Sequence, residues 1–340
     1  MKKNKIMKKT ISLVLVLILI LSISNMAYGS ESNYNDIRIL VNSGYTEGTA
    51  MALAPEERFK IAQNIVNDPS KVDIYTISME IDNLAEIEAL FSYSELELES
   101  MGADLNKVYK TKKELLKLCD NQSIMAQKIN ISDIQADMIR RAVEKGIENR
   151  ESGKGYNKIN DINASGSITT SEMSYTQVVD DQSTTQAPKY EVTIAYTWKE
   201  VYALAIFDDV IASAWGGGFN TKNINSNANY HDYTNIGDDF GSYYTCRDMT
   251  KTETPQTGIE FEFPQSVYRS GDIAPKTKNG YAQFTLYQNQ FQNYDTKVVS
   301  AYGHQIISVG VSVTISDSPV SVDFSIAYDE TDQKTTTLTY

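Results

Sequence analysis

The stretch KYEVTIAYTWKEVYALAIFDDVIASAWGGGF, residues 189–219, decides the fold class. Its first part alternates. Tyr190, Val192, Ile194, Tyr196 and Trp198 fall on one side of an extended chain, and Glu191, Thr193, Thr197 and Lys199 on the other. A period of two with one apolar side predicts a strand with one buried face. A short apolar run follows, then Trp215, three glycines and Phe219.

The same period recurs downstream. Ile259, Phe261 and Phe263 alternate with glutamates, and Ala282, Phe284 and Leu286 with polar residues. Ile307, Val309, Val311, Val313 and Ile315 lead through the turn signal Asp317-Ser318-Pro319 into Val320, Val322, Phe324, Ile326 and Tyr328. With 174–179, 242–250, 297–301 and 334–340, about eight to nine strands are expected. Serial strands without intervening helices imply an antiparallel sandwich or barrel.

Upstream the period is helical. Pro55 with Glu56 and Glu57 marks a helix start, and Asn67-Asp68-Pro69 a stop. Ile81, Leu84, Ile87 and Leu90 form a stripe within a second helix predicted over 77–101. Capping-box patterns at Thr111–Glu114 and Ser132–Gln135 start a third and a fourth. The expected fold is α+β, a small N-terminal helical domain followed by an antiparallel β-sandwich or barrel-like domain. The segments are a signal peptide (1–29), a loose arm (30–53), a helical domain (54–150), a Gly/Ser/Asn linker (151–171) and the β domain (172–340).

The leader sets the compartment. Lys2, Lys3, Lys5, Lys8 and Lys9 precede an apolar run over 11–23, and Ala27-Tyr28-Gly29 places small residues for cleavage after Gly29. That run is shorter than the roughly 20 residues of a spanning helix, so a secreted, extracellular product is expected, and the Lys-rich leader suggests a Gram-positive source. Removing the leader takes the net charge from −13 to −18. So acidic a chain argues against nucleic-acid partners and against membrane binding.

Candidate functional residues are sparse. The irregular, Asn/Asp-rich stretch 219–241 contains Asp232, Asp238 and Asp239, oxygen donors at a density that suits calcium, though without the EF-hand spacing. No other cofactor is expected. Trp215 and Phe219 flank three glycines, either as an aromatic lip for a ligand or as core anchors around a bulge. Sixteen of the 22 tyrosines lie in 156–340, Tyr243 and Tyr244 among them, and point to a Tyr-rich binding face. Cys119 and Cys246 either form a bridge between the two halves or stay as thiols. Asp208-Asp209 and Asp238-Asp239 are adjacent carboxylates, but neighbours on a strand point to opposite faces and make no glycosidase pair.

Tyr302-Gly303-His304 followed by an alternating apolar strand resembles the Gly-His-strand element of secreted cysteine peptidases that cut cell walls. The resemblance covers barely a dozen residues. It implies His304 as base and Cys246 as nucleophile. This chain departs from that pattern: Cys246 lies in a strand-like segment rather than at a helix start. The leading expectation is a non-catalytic extracellular protein that binds a cell-wall polymer, a peptide or a protein. The alternatives are a wall-directed cysteine hydrolase using Cys246 and His304, and a pore former built on the Ser/Thr-alternating segments 308–316 and 321–325.

Overall fold

The computed structural model describes residues 34–120, 122–123, 132–154, 170–184, 187–199, 205–216, 218–231, 245–254, 256–267, 275–288, 296–305, 313–317, 320–324, 328–331 and 333–338. Its helices are α1 (34–42), α2 (Glu47–Ala52), α3 (Pro55–Asn67), α4 (Asn83–Ser92), α5 (Glu95–Ser100), α6 (Leu105–Leu118) and α7 (Asp133–Glu151). One strand, β1 (Val72–Asp82), interrupts them. The rest follow: β2 (Thr170–Asp181), β3 (Lys189–Trp198), β4 (Asp208–Trp215), β5 (Asn220–His231), β6 (Thr245–Arg247), β7 (Thr250–Thr254), β8 (Gly258–Pro264), β9 (Lys276–Tyr287), β10 (Thr296–Gln305), β11 (Val313–Asp317), β12 (Val320–Phe324), β13 (Tyr328–Glu330) and β14 (Lys334–Leu338).

The strands make two large antiparallel sheets and a hairpin. Sheet one runs β1-β2-β3-β9-β5-β6, and sheet two runs β13-β10-β4-β8-β7 with β14 also on β10. Both are open, so the architecture is a sandwich and not a closed barrel. Tyr190, Val192, Ile194, Tyr196 and Trp198 of β3 meet Ile211, Trp215, Phe261, Phe263, Val298 and Tyr302 of sheet two in one core cluster.

The polar side of β3 is buried as well, contrary to the single buried face that its alternation predicts. α1–α3 lie over it. Leu40, Tyr45, Ala50, Leu53 and Ile61 pack on Val178, Ala195 and Tyr281. Several polar residues between them are matched: Lys60 pairs with Glu191, Asn64 donates to Asp180, and Gln283 donates to Glu57 at 2.7 Å. The segment expected as a loose arm therefore holds two helices on the sheet. On sheet two the outer face is covered by the β11–β12 hairpin, where Val322 packs on Ala212 and Ala214. Gly258 permits this approach, because a Cβ there would lie 2.3 Å from Ile315 Cγ2.

The helix predicted over 77–101 is three elements. Residues 72–82 are β1, paired along its length with β2 from Val72↔Asp180 to Asp82↔Thr170. Val72, Ile74, Thr76, Ile77 and Ile81 are β-branched, and the ladder offered by β2 decides for strand. The helix starts only where the Asp82 carboxylate accepts from the backbone of Leu84 and Ala85. A second break at Tyr93 is followed by a capping box from Ser94 to Glu97. α6 likewise begins earlier than Thr111: Asp104 caps it, and Thr111 is buried within it. The starts at Pro55 and Ser132 are as expected, the latter with its Ser132–Gln135 capping box formed.

Residues 220–231, read as irregular, are β5. Asparagine is a weak strand former. Here the chain is held by β9, with Asn225 donating to Tyr281 Oη at 2.8 Å and Asn229 to Asn279 Oδ1 at 2.9 Å. The register shifts between Lys222 and Asn225, where Asn223 takes φ 52°, a conformation asparagine tolerates.

A third cluster joins α4, α6 and α7 through Leu84, Ile87, Leu90, Leu115, Ile139 and Val143. Ile206 and Phe207, just before β4, belong to it, so these helices sit at one end of the sandwich.

Candidate functional site

At that end a charged array is buried. On β4 the residues facing the sandwich interior are Asp209, Ile211, Ser213 and Trp215, while Asp208 takes the opposite face. On β10 the interior residues are Val298, Ser300, Tyr302 and His304. Tyr302 pairs with Ile211 and Gly303 with Val210, which brings His304 beside Asp209. Asp209 is fully buried and His304 is 1% exposed.

Asp209 collects donors from several elements. Its Oδ1 accepts from His304 Nδ1 at 2.9 Å, Gln265 Nε2 at 2.7 Å and the Gln305 amide at 3.3 Å. Its Oδ2 accepts from the Tyr302 hydroxyl. Gln265 is itself oriented, receiving the Phe207 amide at 3.1 Å and donating to Gln305 O at 3.0 Å. On the other side of the ring, Glu86 Oε1 of α4 lies 3.3 Å from His304 Nε2. Trp198 meets the imidazole edge to face at 5.4 Å.

Two carboxylates thus bracket one imidazole. Burial lowers the His304 pKa, but Asp209, then Glu86, outweigh it and raise it to about 10. His304 is an imidazolium at neutral pH, with both nitrogens protonated and no lone pair to act as a base. Lys107, half-buried on α6, lies nearby; burial lowers its pKa against the opposing pull of Asp208 and Asp104.

This geometry corrects the Cys246–His304 pairing. Cys246 is on β6 of sheet one and His304 on β10 of sheet two. The thiol is exposed, and burial followed by Asp248 raises its pKa, the wrong direction for a nucleophile. Cys119 and Cys246 are both free.

Trp215 and Phe219 form no exposed lip. Both are buried, the Trp215 indole donates to Phe219 O at 3.2 Å, and the Trp215 ring lies 5.5 Å from Phe284. They are core anchors. Among the described tyrosines of the β domain, Tyr175, Tyr190, Tyr196, Tyr230, Tyr281 and Tyr302 are buried. Tyr243, Tyr244, Asp232, Asp238 and Asp239 lie outside the described residues. Among the described residues no group of three or more His, Cys, Asp or Glu side chains is placed to hold a metal. No described helix is long and apolar enough to cross a membrane. The hairpin considered for a pore has described strands of five residues each, laid on sheet two.

Glu86 and Gln265 escaped the sequence reading. Asp209 and His304 carried a usable signal, since each is a charged or polar residue in phase with the apolar side of its strand.

The fold is that of an antiparallel two-sheet sandwich preceded by a helical region. No known protein family matches the chain, and no curated protein matches it in sequence. Solved structures align with parts of it. The collagen binding subdomain of the Enterococcus faecalis surface protein ACE aligns at 8% identity over 48% of this chain and 93% of its own, with a TM-score of 0.24. A collagen-binding domain from a Staphylococcus aureus adhesin aligns at 12% identity over 36% and 77%, with a TM-score of 0.20. The C-terminal domain of the Streptococcus agalactiae AgI/II polypeptide BspA aligns at 8% identity over 48% and 57%, with a TM-score of 0.25. At such TM-scores the likeness carries no functional argument.

Proposed function

We propose that the chain is a secreted, non-catalytic binding protein that takes an extended segment of an extracellular protein along the edge strand β1. The observation that carries this reading is the character of that edge. β1 is eleven residues long, stands last in sheet one among the described residues and is half-exposed over most of its length. From Ile74 to Met79 it carries no charge. Sheet edges are normally blunted by shortness, charge or proline. β7, which ends sheet two, shows that treatment: five exposed residues with Lys251 and Glu253 paired at 2.9 Å. Helices cover the outer face of sheet one and the hairpin lies on that of sheet two, which leaves edges as ground for a ligand. An extended peptide adds to such an edge through its main chain, with side chains at alternate positions setting specificity. The leader-like residues 1–29 support secretion, and the two carboxylates that raise the His304 pKa argue against it as a general base.

The test is retention of mature protein 30–340 on immobilised collagen, other matrix proteins and purified Gram-positive walls, with chromatography of released material. Retention on a protein surface that Ser78→Lys weakens about tenfold or more, and that Thr252→Lys on β7 leaves intact, is the expected result. Equal retention of both variants, or no retention on any protein, rejects the edge reading. Released wall fragments reject the non-catalytic one.

A further inference from the structure

Among the described residues, the helices at the sandwich end meet it through both apolar and charged groups. Their apolar cluster takes in Ile206 and Phe207 from the sandwich side. Polar crossings accompany it: Glu86 to His304 at 3.3 Å and Asn83 Nδ2 to Ser171 Oγ at 2.9 Å, with Lys107 under the electrostatic pull of Asp208. Contacts of this kind are characteristic of surfaces between units that move relative to each other. The chain enters the helices directly from β1, through the Asp82 cap.

We propose that α4–α7 form a separable cap on the sandwich end and that the Glu86–His304–Asp209 array is the lock that seats it. Asp209 and His304 belong to the sandwich, and Tyr302, Gln265 and the Gln305 amide fix Asp209 there. Glu86 is the cap's contribution. The charged and titratable groups around the imidazolium are Asp209 from β4, Glu86 from α4 and the Tyr302 hydroxyl from β10, with Lys107, Asp104 and Asp208 farther out. Neutralising Glu86 leaves the imidazolium paired within the sandwich and removes the ionic contact to the cap. Lifting the cap uncovers an aromatic end made of Trp198, Phe207 and Tyr302. This inference does not depend on the edge-strand reading.

The experiment is hydrogen exchange by mass spectrometry on mature protein, comparing wild type, Glu86→Gln and the control Glu172→Gln, which removes an exposed pair with Lys199. Losing one charged contact while the imidazolium stays paired with Asp209 shifts the closed-to-open balance by about tenfold or more. Amides of 83–118 and 133–151 in Glu86→Gln are therefore expected to exchange faster by that order, while 189–198 and 276–287 keep the wild-type rate and Glu172→Gln changes neither. Equal acceleration of helices and sheets, or none, overturns the proposal. If Glu86→Gln does not fold, wild type carries the test on acidification from about pH 7 to about pH 3. Acrylamide quenching of Trp198 must then rise before the β-sheet circular dichroism is lost. Coincident transitions overturn the cap.

Discussion

The strongest quantitative consequence of the buried array is an alkaline loss of stability carried by His304. The ring pKa rises from 6.5 to about 10 on folding, because Asp209 and Glu86 outweigh the opposing effect of burial. Between those values the folded chain holds a proton that the unfolded chain has released. Stability therefore falls as pH rises, by about 1.4 kcal/mol per pH unit for one proton. The contribution is fully present below pH ~6.5, amounts to about 5 kcal/mol, and is gone above pH ~10. That is comparable with the whole stability of many domains, about 5–15 kcal/mol. The perturbation is His304→Gln, and the assay is urea unfolding followed by circular dichroism at a series of pH values. Lys276 complicates the raw curves. Burial lowers its pKa to about 8, so its own term makes stability rise with pH from about 8 to 10.5. Lys276 is present in both chains, and the wild type minus His304→Gln difference removes it. A difference that stays flat between pH ~6.5 and pH ~10 refutes the bracketed imidazolium, as does an imidazole that titrates near its free value by NMR.

Two smaller predictions complete the set. Gly146→Ala places a Cβ 2.5 Å from Glu88 O and 2.7 Å from Phe91 Cβ; a helix-propensity gain of about 1 kcal/mol is outweighed by overpacking of about 1–3 kcal/mol, so urea unfolding should show net destabilisation, and a stabilised variant contradicts the α4–α7 contact. Cys246→Ala should leave stability within about 0.5 kcal/mol and any wall interaction unchanged, while native thiol titration finds both cysteines reduced with Cys246 reacting first; a wall-lytic activity lost in this variant would restore the hydrolase reading.

Legibility in the sequence followed the range of the interactions involved. The starts at Pro55 and Ser132 were readable because capping is settled within four residues. β3 was readable because its apolar residues recur at two. β1 was misread because Ile81, Leu84 and Ile87 keep helical spacing across a boundary that the Asp82 cap and the β2 ladder set. β5 was missed because its asparagines gain their partners on β9, not from near neighbours. Trp215 and Phe219 were open to two readings, and the indole bond to Phe219 O decides for the core. Glu86 could not be singled out, being one acid among many in an acidic segment.

By itself the sequence determined the class: helical period first, strand period second, an acidic composition and a leader-like start, all properties carried by neighbouring residues. The tertiary structure alone decided which surfaces are used. It placed helices over the polar side of β3, left β1 as an edge and set His304 between Asp209 and Glu86. Those outcomes come from contacts between residues far apart in the chain. Whether an imidazole there is a base or a fixed cation depends on the charges that folding brings to its two nitrogens.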